Sequence, residues 1–126
     1  MPRGPFEVGP IPDAVLCRVE ALPQVLHVND WHTAIGALWL RSVYAWDELF
    51  RATRSVLTIH NIGYQGVIGA AQREEALPAG DAALLHQQDL KAGRINLLRQ
   101  GIMYADLVTT VSPTYAREIR TAEYGM

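Results

Sequence analysis

Three short polar groups in this chain carry the residue types of a ligand-handling site: Asn29, Asp30 and His32; then His60, Asn61, Tyr64 and Gln65; then Ser112 and Thr114. A carboxylate, two imidazoles and the amides and hydroxyls beside them supply hydrogen-bond donors and acceptors that can hold and orient a polar ligand. Each group follows a short apolar run, Gln24–Val28, Ser55–Ile59 and Leu107–Val111 in turn. Helical spacing would scatter these residues. Three parallel strands ending at one rim would collect them, and ligands of open α/β sheets bind beyond the carboxyl ends of the strands. Each candidate also has a local reading, with Asp30 or Ser112 as a helix cap and a histidine as hydrogen-bonded scaffolding.

Other chemistries lack their parts. His27 and His32 are five residues apart with no third ligand at helical spacing, so no metal site is expected. Neither phosphate-binding glycine motif occurs, and Gly63, Gly66 and Gly69 make only a flexible or tightly turning loop. No serine sits in a G-x-S-x-G elbow. The single cysteine, Cys17, excludes an internal disulfide and a thiolate zinc site and reads as a small apolar residue in a helix pattern. Trp31, Trp39 and Trp46 could offer a sugar-stacking face, although Trp39 lies in an apolar helical stripe that reads as core.

The elements that must position these groups alternate β-branched runs with helical patterns, the signature of a parallel sheet flanked by crossover helices. Residues 1–12 hold four prolines and two glycines and read as a loose leader, followed by a short helix Asp13–Leu22 that Pro23 closes. The strand Gln24–Val28 leads into a helix from Trp31 to Tyr44, with Asp30 as its expected N-cap. After the strand Ser55–Ile59 comes the glycine-bearing segment Ile62–Gly69. Ala70–Leu90 reads as loop, with one helical turn around Ala82–His86. A helix is expected over Arg94–Tyr104 on the stripe Ile95, Leu98 and Ile102, although Gly101 costs it about 1 kcal/mol of intrinsic propensity. The strand Leu107–Val111 and a helix opened by Pro113 and running through Ile119 complete the order.

Composition sets the bounds. The chain has 126 residues, 11 basic and 13 acidic, for a formal charge of −2. That balance gives no reason to expect nucleic acid as a partner. At 49% hydrophobic and 19% charged it should bury a core. No apolar stretch approaches the length of a membrane span, and no apolar h-region follows Arg3, so neither a membrane partner nor export is expected, and the cytoplasm is the simple location.

Four ordered blocks carry a resemblance. His27-Val28-Asn29-Asp30-Trp31-His32-Thr33 resembles the His-x-x-Asp-Trp-His-Thr segment of bacterial glycogen synthases and plant starch synthases. Thr58-Ile59-His60-Asn61-Ile62-Gly63-Tyr64-Gln65-Gly66 is similar to that family's Thr-[IV]-His-Asn-x-x-Tyr-Gln-Gly. Gly93 to Ile102 is similar to its Gly-Lys-x-Asn-x-x-Lys-x-Gly-Ile, with Arg94 and Arg99 in place of lysines, and Ala105 to Ala116 matches almost throughout.

The resemblance implies a two-domain glycosyltransferase of Rossmann-like halves, of which residues 24–126 would be part of the first, after the leader and short helix of residues 1–23. It implies transfer of glucose from ADP-glucose to the non-reducing end of an α-1,4-glucan, with retention and with no cofactor or metal. His60 corresponds to the active-site histidine beside the transferred glucose and Asp30 to the carboxylate at the neighbouring strand end. His32, Asn61, Tyr64 and Gln65 would bind substrate. The family's Lys-x-Gly-Gly-Leu loop has no counterpart before residue 25, and its second domain would follow Met126 as the intramolecular partner. The chain is therefore expected to be a piece, inactive alone, with apolar surface exposed where further strands would pair. A non-catalytic glucan-binding remnant and a related transferase for another nucleotide sugar are the alternatives.

Overall fold

A computed structural model of the chain describes residues 23–78, 80 and 82–126. The helix expected over Asp13–Leu22 lies outside the described residues. In chain order the elements are β1 (Val25–Asn29), α1 (Asp30–Arg41), β2 (Arg54–Ile59), β3 (Val67–Gly69), α2 (Arg73–Ala76), α3 (Gln87–Lys91), β4 (Arg94–Asn96), α4 (Leu97–Tyr104), β5 (Leu107–Thr110) and α5 (Pro113–Glu118). Short 3-10 turns at Glu48–Phe50, Ala70–Gln72 and Ala82–Leu84 fill the connections.

β1, β2 and β5 form the parallel sheet that the alternation predicts, in the order β1-β2-β5. Asn29 lies opposite Thr58, and Thr58 opposite Thr109, so all three strands end level and release the chain at one rim. Period-2 alternation points Val28, Leu57 and Ile59 inward, where each is buried. There they meet α1 and α4, which lie side by side. One cluster joins Val28, Ala34, Leu57, Ile59, Ile62 and Leu98, and a second joins Ile35, Leu38, Trp39, Leu77, Leu85, Ile95 and Leu97. Trp31 packs against both. Gly101 lets the two helices approach: a Cβ there would fall 2.7 Å from Ala34 Cβ and 3.0 Å from its carbonyl oxygen.

The opposite face of the sheet carries Val25 and Leu107, each 56% exposed. Beside them runs a polar row in which His27 Nε2 lies 2.7 Å from Thr58 Oγ1, itself 2.8 Å from Thr109 Oγ1. Among the described residues no helix is long and apolar enough to cross a membrane.

Three expectations need correction. Arg94–Tyr104 is not one helix: residues 94–96 form β4, antiparallel to β3, with Ile68 opposite Ile95. The stripe Ile95, Leu98, Ile102 fits a helical period, but Ile95 is buried from a strand, and Asn96 then caps α4 by accepting from Arg99 N at 3.0 Å. The glycine-bearing segment accordingly contains a strand, β3. Finally, α1 stops at Arg41 rather than Tyr44, and Ser42 Oγ donates to Leu38 O at 2.7 Å.

Ala70–Leu90, whose sequence reads as mostly loop, is short turns and helices tied to the core from two sides. Trp39 Nε1 donates to Ala76 O at 2.6 Å. Asp89, its side chain 3% exposed, pairs with Arg99 at 2.5 Å, with His86 Nδ1 at 3.2 Å and with Arg94 at 3.4 Å.

Candidate functional site

The rim at the carboxyl ends of β1 and β2 is built by two residues that do not cap the helix they begin. The sequence predicts that Asp30 accepts an amide of its own first turn. Instead its Oδ1 reaches across to the next strand end and accepts from His60 N at 2.6 Å and Asn61 N at 3.2 Å. Asn29, which flanks α1, likewise makes no side-chain cap. Its Oδ1 lies 3.1 Å from His60 Nε2. The helix start is held by Thr33, whose hydroxyl accepts from Asn29 N at 2.8 Å and donates to Asn29 O at 3.0 Å.

This arrangement carries strain. Asp30 has φ of +55°, and among the described residues it is the one non-glycine in the left-handed region. That conformation costs about 1–2 kcal/mol for a residue with a Cβ, and such strain clusters at functional sites. Here it turns the carboxylate from its own helix toward residues 60 and 61.

Below the rim, Asn61 Oδ1 accepts from Gly63 N at 2.9 Å and closes a tight turn. Ile62 N donates to the hydroxyl of Tyr115 at 2.8 Å. Gln65 spans the turn from within, its Nε2 donating to Ile62 O at 3.1 Å and its Oε1 accepting from Asn96 Nδ2 at 2.7 Å. Gly66 packs flat on Trp31: its φ is +65°, and a Cβ there would stand 2.4 Å from Trp31 Cε3. Only glycine meets both demands.

Trp31 and residues 63–68 line a shallow cleft of about 470 Å³. Tyr64 stands in its wall, 69% exposed. Asp30 and His60 do not line the cleft, but each leads into it along the chain, Asp30 through Trp31 and His60 through the Asn61–Gly63 turn. A separate cavity of about 340 Å³ opens among Arg41, Tyr44, Phe50, Arg51, Arg54 and Asp106. Arg54 begins β2 and Asp106 precedes β5, so this cavity is at the far end of the sheet from Asp30, His60 and Asn61.

The structure therefore brings Asp30, His60 and Asn61 into direct contact and sets Tyr64 and Gln65 in the adjoining cleft. His60 and Asn61 are exposed and Asp30 is half-buried. His32 is exposed and stacks on Trp31, with ring centroids 4.1 Å apart and planes 26° from parallel. Ser112 is a cap, accepting from Tyr115 N at 3.1 Å. Thr33, Asn96 and Tyr115 hold the rim and turn in place, although nothing in residue type alone marks them for that role. The available signal was their position inside the four motif blocks. Among the described residues no three histidine, cysteine, aspartate or glutamate side chains gather closely enough to hold a metal ion.

Comparison with known proteins gives a consistent picture. Residues 13–126 match the family model described as the starch synthase catalytic domain. The chain is 41% identical over 117 residues to a glycogen synthase of Lactococcus lactis, a match covering 90% of this chain and 24% of that protein. It is 46% identical over 104 residues to a glycogen synthase of Thermotoga maritima, covering 82% of this chain and 21% of that one. Among solved structures it resembles the catalytic domain of starch synthase IV from Arabidopsis thaliana bound to ADP and acarbose, with a TM-score of 0.73 and 36% identity over 87% of this chain and 23% of that chain. The chain thus spans about a quarter or less of the length of these relatives.

Proposed function

Taking as premise that the chain belongs to the family of starch synthase catalytic domains, we propose that its rim and cleft are the sugar-holding part of an enzyme that transfers glucose from ADP-glucose to the non-reducing end of an α-1,4-glucan. The observation that carries the reading is the junction of Asp30 with the His60 segment, strained at Asp30 and open to solvent at His60. The ADP and acarbose bound by the starch synthase IV neighbour support a nucleotide and a carbohydrate as ligands here.

The roles follow from the hydrogen bonding. Asn29 Oδ1 can only accept, so His60 Nε2 carries the proton toward it and leaves Nδ1 as the ring nitrogen that meets a sugar hydroxyl. Placed beside the transferred glucose, the imidazole both orients the sugar and keeps water from the oxocarbenium-like charge that develops at its anomeric carbon. Asp30 has one oxygen engaged by the two amides, and the other accepts from a sugar hydroxyl or from the incoming 4-hydroxyl. Tyr64 offers the glucan an aromatic surface at the cleft wall, His32 and Asn61 add polar contacts at its margin, and Gln65 shapes its floor. The transfer, with retention and without a metal, belongs to the full-length protein carrying this segment; the 126 residues alone are inactive.

The test is incorporation of labelled glucose from ADP-glucose into glycogen by that full-length protein. His60→Ala is expected to lower kcat by about 100-fold or more, the scale of losing one transition-state contact. An unlabelled polymer from the native protein, with ADP-glucose and other nucleotide sugars alike, would overturn the assignment.

A further inference from the structure

We propose that Asn96 is a positioning residue for the ligand-facing turn His60–Gly66, acting through Gln65; this rests on the reading above that the turn meets the glucan. Asn96 is 4% exposed and sits where β4 becomes α4. Its Oδ1 accepts from Arg99 N at 3.0 Å, which leaves Nδ2 as the group facing Gln65 Oε1 at 2.7 Å. Gln65 must then present Nε2 to Ile62 O, as it does at 3.1 Å.

The polarity of this relay is fixed at both ends by backbone groups that cannot exchange roles, an N–H in α4 and a C=O in the turn. Two main-chain bonds run alongside it, Leu97 N to Gly66 O and Leu98 N to Gln65 O, each at 3.0 Å. The first-turn amides of α4 are thus satisfied partly by the turn itself, and Asn96 is the side chain that stitches the two together. Asn96 is not itself among the residues that line the cleft. It sets where the Ile62 carbonyl lies, and hence how Tyr64 and Gly66 meet the cleft.

Asn96→Asp separates this role from simple capping. An aspartate still accepts from Arg99 N and is as good an N-cap as asparagine, but it cannot donate to Gln65. If the Gln65 amide inverts to reach it, Oε1 is left facing Ile62 O, acceptor against acceptor. Gln65→Met breaks the relay from its other end while leaving the Asn96 cap intact, and Asp47→Ala, which removes the cap of the 3-10 turn Glu48–Phe50 by losing the bond from Leu49 N, is the control.

In the 126-residue chain, amide hydrogen exchange at residues 63–66 is expected to quicken about 10-fold in both relay variants, the scale of one lost hydrogen bond. It should stay at the native rate in the control. In the full-length protein KM for glucan should rise about five-fold with kcat changed less. A merely structural loss would reduce the active fraction, lowering kcat and leaving KM alone. Unchanged exchange at residues 63–66, or equal quickening throughout α1 and β2, overturns the proposal. Quickened local exchange in a full-length protein whose native form transfers no glucose overturns the glucan reading instead.

Discussion

At the scale of single residues, Asp30 combines two jobs that substitution can separate. Asparagine at this position keeps an oxygen for His60 N and Asn61 N but removes the charge. Asp30→Asn is therefore expected to shift stability by less than about 1 kcal/mol in urea denaturation. In the full-length protein it should lower kcat/KM by about 100-fold, as loss of a charged contact in the reaction centre would. A variant that keeps full activity would remove Asp30 from the chemistry. Much of this site was legible from position alone: a polar residue just past a strand end in a parallel sheet stands at the rim, which is where Asp30, His60 and Asn61 are found. What the sequence could not convey was that Asp30 turns away from its own helix. Capping preference is a local rule, and here two backbone amides of another strand end outcompete it.

At the scale of elements, the close approach of α1 and α4 explains the glycine that weakens a helix. Alanine at 101 would gain about 1 kcal/mol of helix propensity but would drive its Cβ into Ala34, an overpacking cost of about 1–3 kcal/mol. Gly101→Ala is thus expected to lower the urea midpoint. Adding Ala34→Gly should recover part of it, because the clash lies mostly at the Ala34 Cβ. A midpoint raised by Gly101→Ala alone would show that the helices have room to spare. The long elements were legible because their periods run undisturbed for several residues, as in β2 and α1. β3 and β4 were not. Three residues of strand are too short to set a period, and Ile95 fits the helical stripe of the residues that follow it. The stretch Ala70–Leu90 was obscure for another reason: it is held by Trp39 and by the buried Asp89, long-range partners that no local pattern announces.

At the scale of the molecule, Asp106 ties the amino ends of β2 and β5 to the end of α1. It accepts from Ser55 N at 2.8 Å and pairs with Arg41. The Ser55 amide, and after it the positive charges of Arg41 and Arg54, outweigh burial and hold its carboxyl below the ordinary 3.8. The folded chain therefore binds this proton less tightly than the unfolded one. The stabilisation is fully present above the ordinary value and is lost as pH falls through the lower folded value. Asp106→Asn is expected to melt earlier than the native chain near neutral pH, and to lose less further stability between about pH 5 and about pH 2. Parallel melting curves across that range would place the acid sensitivity elsewhere. The parallel architecture itself was legible from the alternation of runs, since it needs only the order of elements and the right-handed crossover that such units share. The uncovered side of the sheet has a consequence of its own. His27, Thr58 and Thr109 share two hydrogen bonds along their row. Loss of water from that surface would therefore leave part, not all, of the row's hydrogen-bonding capacity unmet.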